Sequence, residues 1–275
     1  MYYTLESSDK ILKKIMKKPK VNNQNLSAAE SVLANENAVC SICGDRGIIL
    51  QGDTAIPCSC MEQRKLFNSF KYARLSRELI GCRFDSFDLD YYNSGSLDQE
   101  HSLKAQKALK AAQDFCRNVL NNPHEIGLLF SGSVGSGKTF LAAAIANVLI
   151  EQQTKLLFLV VPDLLDELRA TYDSKSETSE YDLLDIARTI PVLILDDLGA
   201  HNYTDWTRNR LYTILNYRTN EQLPTIITTN LSFDEIETYL GERTCSRLLQ
   251  MCRIFRLSTE KDIRRQKYDK REKLS

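Results

Sequence analysis

The chain has 275 residues, 43% of them hydrophobic, and its 36 basic and 36 acidic side chains give a formal net charge of zero. That length supports one substantial core together with a smaller second module. No stretch approaches the ~18 to 20 apolar residues of a membrane helix, and no apolar signal-peptide core follows the lysine-rich start, so we expect a cytoplasmic protein that does not bind a membrane.

The charge is distributed unevenly along the chain. Residues 1–80 and 240–275 are basic, whereas residues 81–239 are acidic. A basic end is compatible with nucleic acid or with an acidic protein partner, and equally with an ordinary solvated face.

Residues 1–80 predict a small, mostly helical N-terminal domain, with a cysteine-rich module at residues 40–60. Four thiolates from two close pairs can surround a zinc ion tetrahedrally, and such a closed site would be structural. The second pair has one intervening residue instead of the usual two to four, so reduced free thiols or a redox pair are the alternatives. The predicted zinc ligands are Cys40, Cys43, Cys58 and Cys60.

Residues 81–275 predict a larger α/β domain. An irregular acidic and aromatic stretch at 84–93 comes first, and a helix to about residue 120 follows it. The alternation of strands and helices after that predicts a parallel sheet covered on both faces. The predicted strands are 126–131, 156–161, 191–196, 224–229 and 253–257. The predicted helices are 138–151, 162–172, 181–189, 204–220 and 232–250.

A complete phosphate-binding loop, Gly132-x4-Gly137-Lys138-Thr139, joins the first predicted strand of this series to the helix that follows it. Glycines allow successive backbone N–H groups to turn inward around phosphate oxygens at a helix N-terminus. Lys138 is predicted to reach the β- and γ-phosphates, and Thr139 to place its hydroxyl on a magnesium ion. The alternative is a glycine-rich turn without a ligand. The predicted ATP-contacting residues are Gly132, Ser133, Val134, Gly135, Ser136, Gly137, Lys138 and Thr139.

Polar side chains follow two of the later predicted strands. Val192-Leu-Ile-Leu195 is a continuous apolar run that ends in Asp196 and Asp197, and ligands bind at the carboxyl ends of strands in open α/β sheets. We interpret Asp196 as a magnesium ligand and Asp197 as the group that orients or deprotonates the attacking water. Asn230, after the next strand, could reach the γ-phosphate or that water. The alternatives are that the Asp pair caps a turn and that Asn230 caps the next helix.

Five motifs follow one another along this domain. They are Gly132–Thr139, Leu195-Asp-Asp-Leu-Gly199, Thr228-Thr-Asn230, Gly241-Glu-Arg-Thr-Cys-Ser-Arg-Leu248 and Asp262-Ile-Arg264. In this order they resemble the AAA+ ATPases of the bacterial replicative helicase loader family, the DnaC/DnaI type, over about residues 84–268. The resemblance implies a five-stranded parallel sheet in the order 5-1-4-3-2 and self-assembly into a spiral or ring. Asp197 departs from many AAA+ relatives, which use glutamate, although loader-like proteins similarly carry Asp-Asp.

The resemblance also implies roles for residues that the pattern alone leaves open. Asn230 takes the sensor-1 position, and Arg264 looks like the sensor-2 arginine. Arg247 looks like an arginine finger for a neighbouring subunit, with Arg243 as the second candidate. Without the flanking motifs, these last two arginines could be an ordinary basic surface of a helix.

The resemblance favours an ATP-dependent DNA replication protein, a helicase loader with slow and partner-stimulated hydrolysis. Its N-terminal zinc module would bind the replicative helicase, and its ATPase domain would contact single-stranded DNA. A transposition helper ATPase of the IstB type shares the same ATPase motifs and is the nearest alternative. A non-hydrolysing adaptor that uses the fold only to bind a partner is the second alternative.

Overall fold

The computed structural model describes residues 40, 42–43, 47–51, 54–58, 61, 73–93, 98–171, 180–200 and 203–272. The helical character expected of residues 1–39, and the predicted zinc ligand Cys60, lie outside these residues. In the described ranges, no helix combines the length and the apolar character needed to cross a membrane.

A five-stranded parallel sheet forms the centre of the larger domain. Its strands lie in the order β7-β3-β6-β5-β4, which is 5-1-4-3-2 when β3 is counted as the first strand, so the predicted sheet order is confirmed. Each strand begins and ends within two residues of its predicted bounds. The strands are β3 (Gly127–Gly132), β4 (Leu156–Val160), β5 (Val192–Leu198), β6 (Thr225–Thr229) and β7 (Cys252–Leu257).

Helices cover both faces of this sheet, because its strands are apolar on both sides. Leu128 and Phe130 of β3 pack with α2 and α3, while Leu129 between them packs with the helices of the opposite face. The described helices are α1 (Arg77–Ile80), α2 (Asp98–Val119), α3 (Lys138–Glu151), α4 (Val161–Ala170), α5 (Glu180–Thr189), α6 (Asp205–Asn220), α7 (Phe233–Leu240), α8 (Glu242–Met251) and α9 (Ile263–Glu272).

The structure differs from the sequence prediction at three places. The single helix predicted over 232–250 is wrong, because Gly241 takes a φ of 86° and separates α7 from α8. The stretch 84–93 contains two short 3-10 helices, Phe84–Ser86 and Leu89–Tyr92. Part of the N-terminal region expected to be mostly helical is a β-hairpin of β1 (Ile48–Gln51) and β2 (Thr54–Pro57).

Arg218 is fully buried on α6, and its guanidinium joins the amino ends of two strands to a helix end. Burial lowers its pKa to about 9, so it stays charged at neutral pH. The side chain donates to Thr225 Oγ1 and to five backbone carbonyls, two of them in the last turn of α5, where the helix dipole favours a cation. The carbonyls belong to Ala187, Arg188, Ile190, Pro191 and Pro224.

Replacing Arg218 with methionine leaves these buried carbonyls without donors. We expect the free energy of unfolding to fall by about 3 kcal/mol or more, measured by urea denaturation. The control is Arg208→Met on the same helix, whose 39% exposed side chain pairs with a 95% exposed Asp205 and which should change stability by less than about 1 kcal/mol. Equal effects of the two substitutions would contradict a structural role for Arg218.

Candidate functional site

The loop between β3 and α3 has a conformation that requires glycine at three positions. Gly132, Gly135 and Gly137 take φ values of 135°, 69° and 88°. A Cβ on Gly132 would collide with the backbone carbonyl of Leu257 in the neighbouring strand β7. The loop therefore wraps the N-terminus of α3 closely, as an anion-binding turn requires.

Lys138, the first residue of α3, folds back over this loop. Its Nζ donates to the carbonyl oxygens of Gly132 and Ser133 at 2.9 and 2.7 Å. Burial disfavours the ammonium and lowers the pKa of Lys138 to about 8, while Asp197 and Asp196 act in the opposite direction. A phosphate in the loop would give this ammonium an anionic partner in place of two neutral carbonyls.

Asp196 lies at the carboxyl end of β5 and is bonded to two other elements. Its Oδ1 accepts hydrogen bonds from Thr139 Oγ1 at 2.9 Å and from Thr228 Oγ1 at 2.6 Å. Burial raises the pKa of Asp196, and the two hydroxyl donors partly offset that shift. Within the described residues both hydroxyls bond to Oδ1 and leave Oδ2 for a further ligand, and an oxygen donor set of carboxylate and hydroxyl suits magnesium. Thr139 and Asp196, the residues predicted to hold magnesium, lie within hydrogen-bond distance of each other.

Asp197 and Asn230 are brought together beside this carboxylate. Asn230 Nδ2 donates to Asp197 Oδ1 at 3.1 Å. Asp197 has a left-handed backbone, with a φ of 60°, and its N–H donates to Thr228 Oγ1 at 2.9 Å. Ser232, and not Asn230, caps α7 through a capping box with Glu235, so the capping alternative for Asn230 does not hold.

The start of α9 docks on the phosphate-binding loop. Ile263 N donates to the carbonyl of Gly135 at 3.1 Å, and Asp262 caps the helix by accepting from Arg264 N at 2.7 Å. The guanidinium of Arg264 is close enough to Lys138 to contribute to the lowered pKa of that lysine. The structure thus places Arg264 with the loop residues.

Arg243 and Arg247 lie on α8. Arg247 donates to Gln250 of the same helix at 2.8 Å, and Arg243 is exposed. Within the described part of the chain, neither arginine bonds to a residue of 132–139. By contrast, hydrogen bonds connect Thr139 to Asp196 and Asn230 to Asp197.

Two site residues were missed by sequence reasoning. Thr228 bonds to both Asp196 and Asp197, and the only signal for it was the polar end of an otherwise apolar strand. Tyr92 donates from its hydroxyl to the carbonyl of Ser136 in the loop at 2.6 Å. Nothing in the sequence pattern indicates this contact, because 44 residues separate its partners.

Three of the four predicted zinc ligands meet at the base of the β1–β2 hairpin. The sulfur atoms of Cys40, Cys43 and Cys58 all lie within 4.8 Å of one another, and those of Cys40 and Cys58 are 3.8 Å apart. Gly47 N donates to the Cys43 sulfur at 3.4 Å, a contact of the kind that orients metal-bound thiolates. The three thiols form a donor set that suits zinc.

Comparison with known proteins identifies two groups of relatives. Residues 59–274 match the family model described as IstB-like ATP binding protein. The chain is 30% identical to the replicative helicase loader DnaI of Bacillus subtilis (strain 168) over 177 residues, which are 64% of this chain and 52% of that relative. It is also 30% identical to the replicative helicase loader DnaC of Escherichia coli (strain K12), over 52% of this chain and 55% of that relative.

This chain therefore spans about half the length of these two relatives. Among solved structures, the crystal structure of the DnaC helicase loader superposes with a TM-score of 0.55 at 28% identity, covering 66% of this chain and 99% of that one. Because the family model covers most of the chain, from before the phosphate-binding loop to beyond Arg264, the chain belongs to the IstB-like ATP-binding proteins and has the AAA+ fold.

Proposed function

We propose that this chain is a cytoplasmic, magnesium-dependent ATPase that loads a replicative helicase onto single-stranded DNA. One observation carries the proposed activity: Lys138, Asp196, Asp197 and Asn230 lie together at the carboxyl end of the sheet, beside a phosphate-binding loop. The names of the most similar relatives, DnaI and DnaC, support a helicase as the partner.

In this proposal each site residue acts on the terminal phosphates or on the attacking water. Lys138 would leave its two loop carbonyls and bind the β- and γ-phosphates, while Thr139 and Asp196 would hold magnesium, which would neutralise phosphate charge. Asp197 would orient the water through its carboxylate, whose Oδ1 also accepts from Asn230. A short aspartate engaged by a neighbour is consistent with slow hydrolysis that a partner stimulates.

The arginine finger would come from a second copy of the chain. Among the described residues, Arg247 and Arg243 form no bond to the phosphate-binding loop of their own chain, which is consistent with a role in a neighbouring subunit's site. A planar and permanently charged guanidinium suits stabilisation of the transferring phosphoryl group, and its supply in trans makes hydrolysis depend on assembly. We therefore propose a homo-oligomer that is built through the ATPase domain.

The cysteine module would bind the helicase as a separate unit at the N-terminal end. Its hairpin has few buried apolar side chains, and zinc would provide the stability that a core of this size lacks. Ala73, Leu75 and Ile80 are buried in the core of the ATPase domain. We place the division between the two units before Ala73, somewhat earlier than residue 80.

The decisive experiment is co-purification with the host's replicative helicase, followed by an assay of helicase loading onto closed circular single-stranded DNA. We expect ATP-dependent loading, and a Lys138→Ala variant should lose hydrolysis by about 100-fold or more while still capturing the helicase. Recovery of a transposase without helicase would favour the IstB-type helper instead. Absence of ATP hydrolysis in the presence of helicase and DNA would favour the adaptor.

Mixing two inactive variants tests the arginine finger. Lys138→Ala retains an intact Arg247, and Arg247→Ala retains an intact phosphate-binding loop, so complete sites form only where the two variants meet. We expect each variant alone to be inactive and the mixture to regain ATP hydrolysis. Arg253→Ala, at a partly buried pair with Glu125, is the control and should stay active alone. If the mixture hydrolysed ATP no faster than either variant alone, Arg247 would not act in the site of a neighbouring subunit.

Elemental analysis tests the zinc site in protein purified without chelator. We expect about one zinc per chain, and Cys43→Ser should lower the zinc content and the capture of helicase without changing ATP hydrolysis. The matched control is Cys245→Ser, at a buried cysteine of α8 that lies outside the cluster. The proposed zinc site would be wrong if the purified protein contained no zinc, or if the Cys43→Ser and Cys245→Ser variants contained equal amounts of zinc.

A further inference from the structure

A tyrosine from outside the phosphate-binding loop bonds to the loop backbone. Tyr92 ends the 3-10 helix Leu89–Tyr92, is 2% exposed, and donates from its hydroxyl to Ser136 O at 2.6 Å. Burial raises the pKa of Tyr92 above its ordinary value, so the phenol stays protonated and remains a donor.

Because the peptide unit is planar, the bond from Tyr92 to the Ser136 carbonyl also fixes the direction of the next N–H group. In a trans peptide the C=O of one residue and the N–H of the next point in opposite directions. All peptide bonds described are trans. Since the Ser136 carbonyl points toward buried Tyr92, the N–H of Gly137 points away from it, and the phosphate of the proposed nucleotide would lie on that opposite side.

The preceding peptide is held in the same way by a different element. Ile263 N donates to the carbonyl of Gly135 at 3.1 Å, which directs the N–H of Ser136 away from α9. Two consecutive N–H groups of the loop are therefore oriented by donors that lie outside the loop. One donor precedes the sheet in the chain and the other follows it.

The packing around Tyr92 leaves little freedom for this contact. A Cβ on Gly137 would lie 2.8 Å from the Tyr92 oxygen and 3.1 Å from the ring of Phe87. The rings of Phe87 and Tyr92 lie 5.5 Å apart, and Phe87 also packs on Phe140 of α3 at 5.9 Å. Glycine at 137 is thus needed for the approach of the tyrosine as well as for its positive φ.

The elements that carry the two donors also contact each other. Lys270 of α9 lies over the ring of Tyr91 at 4.4 Å, and Lys267 lies over the same ring at 5.8 Å and over Phe140 at 5.9 Å. Such cation–π contacts stabilise the docking of α9 against the 3-10 helix. The orientation of the loop peptides therefore depends on both elements together.

We propose that Tyr92 is a positioning residue for nucleotide phosphates, holding the Ser136–Gly137 peptide so that its N–H faces the ligand. The proposal rests on the proposed ATPase function and deepens it. It assigns part of the phosphate affinity to a side chain outside the phosphate-binding motif. The hydroxyl acts through the loop backbone and does not touch the nucleotide.

The test is Tyr92→Phe, which keeps the ring and removes only the hydroxyl. Calorimetric titration with MgADP, and displacement of MgADP by inorganic pyrophosphate, should both show about tenfold weaker binding, because one buried carbonyl loses its donor. The KM for ATP should rise while kcat at saturation stays near that of the wild type, since bound phosphate restores the peptide orientation. Thermal melting checks that the variant is folded.

The matched control is Tyr212→Phe, which removes a hydroxyl that bonds to Asn216 of the same helix α6, and it should leave both affinities unchanged. Wild-type affinity of Tyr92→Phe for MgADP would overturn the proposal. So would a loss for MgADP without a loss for pyrophosphate, because the hydroxyl would then act on the base or ribose. If the wild-type chain bound no nucleotide, the proposed ATPase function would be wrong. If the wild type bound MgADP and Tyr92→Phe bound it equally well, only the role proposed for Tyr92 would be wrong.

Discussion

The site depends on the hydrogen bonds that the buried carboxylate of Asp196 accepts. Its Oδ1 accepts hydroxyls from Thr139 at the start of α3 and from Thr228 at the end of β6, so it joins three elements at one sheet edge. A buried carboxylate without such donors would be unfavourable, because desolvation favours its neutral form. Thr228 also holds the N–H of Asp197 and thereby supports its left-handed backbone. Loss of this one carboxylate would therefore remove the side-chain bond between the start of α3 and β5, and would leave the hydroxyls of Thr139 and Thr228 without their shared acceptor.

The opposite edge of the sheet shows how a structural charge differs from a functional one. Arg218 directs its donors to backbone carbonyls and Thr225, and it is 0% exposed, so no ligand can reach it. Among the described residues, the bonds of Asp196 are both made by Oδ1, and Lys138 is bonded to carbonyls that a phosphate can replace. Both edges of the sheet contain a buried charge, but a ligand can form new bonds with the charged groups at the carboxyl edge and cannot reach Arg218. Burial by itself would not distinguish the structural charge from the functional ones.

The sequence was sufficient for elements whose signal is local. Strand runs such as Val192–Leu195 and the glycine pattern of 132–137 are continuous in the chain, and the structure places them as expected. The order of the strands came from the resemblance, because periodicity does not determine which strands are neighbours. The predicted helix over 232–250 is divided at Gly241, because the spacing of apolar residues carries no information about the positive φ of that glycine. Thr228 and Tyr92 were missed since their partners are distant in the chain.

The chain that connects the cysteine module to the phosphate-binding loop is packed against the ATPase domain from Ala73 onward. Ala73 O accepts from Phe158 N at the edge strand β4. Arg74 Nη1 donates to both carboxylate oxygens of Glu167 on α4. The same segment continues to Tyr92, where it holds a loop peptide. A single stretch of chain, from Ala73 to Tyr92, therefore joins the outer strand β4 and helix α4 to the phosphate-binding loop. Because Tyr92 bonds to the loop backbone, a shift of the Ser136–Gly137 peptide would act directly on this stretch.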